Sequence, residues 1–287
     1  MSSIAIITDT DSDLPNGIAA KYNIRQVPIT VHFGDEVLET GVDINNTQLF
    51  ERIDREGKLP TTAAPSPGKF AAAYKSAFEE DADSVICFCV SGEVSATYGA
   101  AVAACDEFPG RDISVIDTRS LSMAQGFMAL AAAEAIEKGA SKEQAIEIAK
   151  DLGSRTHLYA SLSTLKYLAM SGRVGHLVAG MANVLNVKPI LTIQDGKLEL
   201  LERVRTQRKA SGRVIELAVQ AVGDKPIERM AIIHICALEA AREFEAQLHT
   251  RMASCEDVLY TELSAGLSVH AGAGLVGVVF VVGESGE

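Results

Sequence analysis

Val187-Lys188-Pro189-Ile190-Leu191-Thr192-Ile193-Gln194-Asp195-Gly196-Lys197-Leu198-Glu199-Leu200 reads as two β-strands on either side of a two-residue turn. Asp-Gly accepts the positive φ angles that a tight hairpin demands, and apolar runs flank it. An antiparallel hairpin has no place in a purely parallel sheet. Upstream of it, however, the chain reads as parallel α/β. Residues 4–8, 26–31, 84–90 and 113–116 are apolar runs of strand length, rich in β-branched residues, and helical segments lie between several of them. Residues 36–38 add a short edge strand. That order suggests a mostly parallel sheet covered on both faces. Downstream, strands are expected at 157–163, 187–193, 197–204, 229–235, 257–262 and 275–282. The expected fold is therefore two-domain α/β. Residues 1–156 form an N-terminal domain with a mostly parallel sheet and helices on both faces. Residues 157–287 form a C-terminal α+β domain with a mixed, partly antiparallel sheet. No Pro/Ser-rich linker separates them, so the two should pack tightly.

Helix boundaries carry their own signals. Asp13 is expected to cap a helix with Pro15 in its first turn, and Asn45 or Asn46 one that stops at Gly57. Ser66-Pro67 opens a third, and Ser141-Lys142-Glu143-Gln144 is a capping box after the stop at Gly139.

Composition excludes several function classes. The 287 residues carry 26 Lys plus Arg against 38 Asp plus Glu, a formal charge of −12. Phosphate binding rests mainly on cationic charge, so nucleic acid is a poor partner for the whole surface. No apolar run reaches the roughly 18–20 residues of a membrane span. The first residues lack the basic region of a signal peptide, and the reading is a cytoplasmic protein. The five cysteines lie in apolar segments without a CxxC pair, as expected of buried free thiols.

Five stretches carry chemistry. Thr8-Asp9-Thr10-Asp11-Ser12-Asp13 ends a strand with three carboxylates. It is either a capped loop or a Mg²⁺ and phosphoryl-transfer cluster built on Asp9 and Asp11. Pro60-Thr61-Thr62-Ala63-Ala64-Pro65-Ser66-Pro67-Gly68 is a rigid loop entering a helix. Ser91-Gly92-Glu93-Val94-Ser95-Ala96-Thr97 joins a strand to a helix, where free N–H groups and the helix dipole favour an anion, and Ser95 adds a hydroxyl. Arg173, in Gly172-Arg173-Val174-Gly175, and Arg205 with Arg208 after the hairpin could together form a basic pocket for phosphate or carboxylate. His270, in Ser268-Val269-His270-Ala271-Gly272-Ala273-Gly274, is a proton donor candidate in a small-residue loop. His157 and His234 lie in strand-like runs and read as core.

In order along the chain, these stretches resemble a known family. The Thr-Asp-x-x-x-Asp start is followed by Pro-x-Thr-x-x-Pro-Ser-Pro at Pro60 to Pro67, and then by Ser95-Ala96-Thr97-Tyr98. Next come Leu165-x-x-Leu168-x-x-x-Gly172-Arg173, the run from Asn186 to Leu191 with Arg205, and His270-x-Gly272-x-Gly274. Asp117-Thr118 with Ser120 and Gly126 is also similar. The set resembles the DegV family, the bacterial fatty-acid-binding proteins, over about residues 3–282. The resemblance implies one long-chain fatty acid held between the two domains. It implies that Thr62 and Ser95 bind the carboxylate, with the Ala96 N–H and His270 nearby. It implies no catalytic residue, metal or cofactor in this chain. In some members catalysis belongs to an ATP-dependent fatty acid kinase, a candidate partner here, and Arg173 and Arg205 fall where such members keep arginines for phosphoryl transfer or docking. The lipid-carrier role allows transient membrane contact without a span. Ala63-Ala64, Ala96 and Ala273 depart from the residues usual in the family.

A fatty acid also suits the composition, which is 47% hydrophobic and has no Trp. Each buried CH₂ contributes about 0.8 kcal/mol, so a sixteen-carbon chain could gain on the order of 10 kcal/mol before the costs of binding. Its carboxylate needs partners, because burying it bare costs several kcal/mol.

Overall fold

The computed structural model describes residues 3–173, 187–252, 255 and 257–283. Val174 and Gly175, which follow Arg173 in its stretch, and Asn186, which contributes to the family resemblance, lie outside the described residues. Strands β1 (Ile4–Asp9), β2 (Ile24–Val27), β6 (Ser84–Cys89) and β7 (Asp112–Asp117) form a parallel sheet in the order β2-β1-β6-β7. Every residue of β6 is buried, as expected for a central strand covered on both faces. Val85, Cys87 and Cys89 pack with Phe70 and Tyr74 of α3 (Pro67–Glu79) and Ala101 of α4 (Thr97–Ala104). Ile86 and Phe88 face the opposite way, towards α5 (Met123–Glu137).

A second sheet combines β8 (Thr156–Ser161), β9 (Lys188–Gln194), β10 (Lys197–Val204), β11 (Ile227–His234), β12 (Val258–Glu262) and β13 (Val276–Val282). Its order is β10-β9-β8-β13-β11-β12, antiparallel throughout except for the parallel pair β11–β12. In β13, Val279 and Val281 belong to the core that contains α5. Val278 and Phe280 belong instead to the core with α8 (Gln207–Val222) and α9 (Leu238–His249). Gly277 permits a close approach of β13 to β8, because a Cβ there would stand 2.6 Å from the Tyr159 carbonyl oxygen.

Helix α5 lies between the two sheets and touches strands of both. It is therefore apolar nearly all round instead of carrying a single apolar stripe. Gly126 lets its first turn come against the loop after β1, where a Cβ would be 2.7 Å from the Ser12 carbonyl oxygen. This is a two-domain α/β fold with an N-terminal parallel sheet, a C-terminal mixed sheet and ten α-helices among the described residues.

Three local expectations are corrected. The run at 26–31 is broken at Pro28. Its first part joins β2, and its second becomes β3 (Thr30–Phe33) of a separate sheet with β4 (Glu36–Glu39) and β5 (Thr61–Ala63). β5 was hidden in the proline-rich loop because three residues are too few to show alternation. Asp13 does not cap a helix. It ends a 3₁₀ turn with φ of 51°, and α1 (Asn16–Lys21) begins after Pro15 without a side-chain cap. Cys87 and Cys89 are buried, but Cys236 is exposed.

The hairpin turn takes φ of 51° at Asp195 and 81° at Gly196. Its tip reaches across to the first sheet. Ser91 Oγ donates to the Gly196 carbonyl at 2.7 Å, and the Arg119 guanidinium donates to the Asp195 carbonyl.

Candidate functional site

Between the sheets lies a cavity of about 320 Å³. Its wall is largely aliphatic, with Leu158, Ala160 and Leu162 of β8 and its continuation, Leu191, Leu198 and Ile233. Leu158, Ala160 and Leu162 follow the two-residue period of a strand, so all three face one side. That alternation was present in the sequence but pointed to no site by itself. Val90 and Leu121 close the cavity from the first sheet's side.

Polar atoms of the wall come from separate segments. β5 pairs with β3 so that Thr62 stands opposite Val31. This carries the Thr62 hydroxyl to α10 (Ala265–Ala271), where its Oγ1 lies 2.9 Å from His270 Nε2, so His270 stands in the last turn of a helix and not in the loop expected for it. His270 Nδ1 is buried with no partner among the described residues. Burial pushes the imidazole down to about 4, and the Arg173 guanidinium pushes in the same direction, so the ring is neutral at pH 7. With the Nε2–H donating to Thr62, the Thr62 hydroxyl proton is free to donate onward.

Ser95 and Ala96 line the same cavity. Ala96 is the N-cap of α4 and provides no side-chain cap. Ser95 Oγ lies 2.8 Å from Thr97 Oγ1 and accepts from the Thr97 N–H at 3.3 Å. The N-terminal end of α4 thus meets the cavity at the exposed cap residue Ala96, a place where a negative group is favoured. Arg173 is exposed, lines the cavity and donates to the Ser171 carbonyl at 2.7 Å. Arg205 is exposed after β10 and lies off the cavity wall, as does Arg208.

The aspartates have a different setting. Asp9 accepts from the Asp11 N–H at 3.0 Å, the Val90 N–H at 2.8 Å and Gln125 Nε2 at 3.1 Å. Asp11 accepts from Ser264 Oγ at 2.7 Å, and Asp13 accepts from the Ser264 N–H at 2.6 Å and Ser122 Oγ at 2.5 Å. Ser264 is also the N-cap of α10, so the cluster ties β1 to the helix that carries His270. All three carboxyls are buried, which raises their proton affinity, and the charge of Asp11 raises that of Asp9 further. Among the described residues no group of three or more His, Cys, Asp or Glu side chains is placed to hold a metal ion. His157 stacks on Phe280, and His234 is buried.

Residues 3–283 match the DegV family, described as uncharacterised proteins. The chain belongs to the DegV family. A DegV domain-containing protein of Streptomyces coelicolor is 36% identical over 276 residues, covering 96% of this chain and 97% of the relative. One from Mycobacterium bovis is 34% identical over 284 residues, covering 99% of each. Among solved DegV structures, a fatty-acid-binding protein from Thermus thermophilus superposes with a TM-score of 0.91 at 32% identity, covering 98% of this chain and 99% of the other. DegV from Bacillus subtilis, described as a fatty acid binding protein, superposes with a TM-score of 0.87 at 27% identity, covering 99% of this chain and all of the other. Among the described residues no helix is long and apolar enough to cross a membrane.

Proposed function

We propose that this protein is a carrier of one long-chain fatty acid. Its carboxylate is held by the Thr62 and Ser95 hydroxyls with the Ala96 N–H, and His270 orients Thr62. The observation that carries this reading is an aliphatic cavity whose polar lining includes the Thr62–His270 pair, 2.9 Å apart, and the start of α4. A volume of about 320 Å³ is at the small end for ligand sites, roughly 300–1,000 Å³, and suits a slender chain better than a broad ring system. Hydroxyl and N–H donors satisfy a carboxylate without requiring a buried counter-charge. The fatty-acid-binding DegV proteins of Thermus thermophilus and Bacillus subtilis support the same ligand class.

The exposed Ala63, Ala96 and Arg173 surround the carboxylate end, which leaves it open to a second protein. In the proposed cycle a partner kinase brings ATP to this mouth. A carboxylate oxygen attacks the γ-phosphorus, ADP leaves, and the acyl phosphate stays on the carrier. Arg173 faces the developing charge, and Arg205 serves docking at a distance.

The deciding experiment is native mass spectrometry of the purified protein followed by lipid extraction. A stoichiometric fatty acid, lost in the Thr62→Ala/Ser95→Ala double variant, is the expected result. A protein that arrives empty and takes up no added long-chain acid would overturn the reading. Arg173→Ala and Arg205→Ala should keep the lipid and lose acyl phosphate formation with a kinase partner; normal formation in both removes the arginine roles.

A further inference from the structure

A second concavity adjoins the cavity. It has a volume of about 560 Å³, with Ala124, Met128, Gly153 and Ile193 on its wall and Arg119 and Lys150 among its polar residues. Among the described residues, Leu158 alone lines both spaces. It is only 7% exposed.

The position of Leu158 along the cavity follows from β8. The chain passes from Leu158 through Ala160 to Leu162, continues into α7 (Lys166–Met170) and reaches Arg173, whose charge acts on His270. Tyr167 of α7 packs where a Cβ on Gly272, just after His270, would fall. The Leu162 end is therefore the His270 end. Leu158 lies four residues back, about 13 Å along the strand. An acyl chain with its carboxylate beside Thr62 and His270 and its methyl end pointing along β8 meets Leu158 at the far end.

We propose that Leu158 is the end stop that sets the length of the bound acyl chain, and that the neighbouring cleft receives longer chains when that stop is made smaller. This rests on the fatty acid reading. The strand under Leu158 is fixed, since Leu158 pairs with Val279 and its carbonyl accepts from Thr192 Oγ1 at 2.7 Å. A change of side chain therefore alters the partition without moving the strand. Beyond it, Met128 lies against Gly153, where a Cβ would stand 2.8 Å from the sulfur. Met128 is unbranched and can re-pack around an incoming chain end.

The test uses the delipidated full chain and saturated fatty acids from about twelve to about twenty-two carbons, each bound in competition with a fluorescent acyl probe. Leu158→Ala is expected to raise the ratio of long-chain to short-chain affinity about tenfold and to lengthen the preferred chain by about two to four carbons. Leu158→Phe should shift the preference the other way. Leu267→Ala, on α10 at the His270 end, should weaken all lengths alike. Should Leu158→Ala fail to fold, Leu158→Val reads the same shift at smaller amplitude. An unchanged rank order in the folded Leu158 variants, with normal binding by the wild type, overturns the end stop and leaves the carrier reading standing. Failure of the wild type to bind any of the acids overturns the carrier reading itself.

Discussion

Asp9 and Asp13 have both carboxylate oxygens taken up by donors from the protein, and the Asp11 carboxyl is fastened to Ser264. On the cavity wall, which of the three aspartates only Asp11 lines, Thr62 and His270 have mainly each other, and one ring nitrogen is buried without a partner among the described residues. Both groups are polar and largely removed from water. The difference is where their hydrogen bonds lead. The aspartates bind β1, α5 and α10 into one joint, whereas the Thr62 and Ser95 hydroxyls lie on a cavity lined mostly by hydrocarbon. Burial of polar groups is thus a poor guide to function until the partners are traced.

The largest expected effect breaks the joint. Asp9→Ala leaves two buried backbone N–H groups without their acceptor and removes one of the Gln125 amide's three partners, at a cost of about 4 kcal/mol of stability by urea unfolding. The second effect falls on the other cluster. Thr62→Ala with Ser95→Ala should weaken fatty acid binding about 100-fold, roughly 3 kcal/mol, while stability moves by less than about 1 kcal/mol. If the double variant loses stability and not affinity, the two clusters have been assigned the wrong way round.

Titration separates the same two regions with opposite signs. His270 has its folded value pushed down to about 4 from an ordinary 6.5. Between those values the unfolded chain binds the proton and the folded one does not, so stability falls as pH drops from 6.5 towards 4, by about 3 kcal/mol. His270→Gln should flatten that slope. The aspartates are raised by burial, so the folded state holds protons the unfolded state has released. Their contribution therefore declines as pH rises from the ordinary carboxyl range, and Asp9→Asn should flatten that limb. Urea midpoints against pH for the three proteins check both. The smallest effect is at the mouth, where Arg173→Ala should raise the His270 pKa by a fraction of a unit in an NMR titration.

The readable parts of the sequence were those governed by neighbours along the chain. Asp195-Gly196 revealed the hairpin because turn chemistry is local, and the capping box at Ser141 and the cap at Asn45, one of the two asparagines expected there, are local for the same reason. Asp13 misled because its carboxylate is taken by Ser122 and Ser264, 109 and 251 residues away. The pairing of Thr62 with His270 spans 208 residues, which no spacing rule reaches. Only the ordered resemblance to the DegV family named both. The cavity wall stayed hidden because Leu158, Ala160 and Leu162 look like any buried strand face until the opposing surface is known.

β13 has a consequence for how the chain is made. Among the described strands, the ribbon β10-β9-β8 and the pair β11-β12 do not touch edge to edge, and β13 alone joins them. Both edges that it fills precede it in the sequence. During synthesis those edges wait open while the wholly buried Val276–Val282 strand emerges after them. A nascent chain stalled before that strand would present two unpaired edges to its neighbours, and a late fragment carrying it would be strongly adhesive. β13, the latest of the described strands in chain order, is thus the keystone of the second sheet, and a truncation before it should leave that sheet in two unjoined pieces.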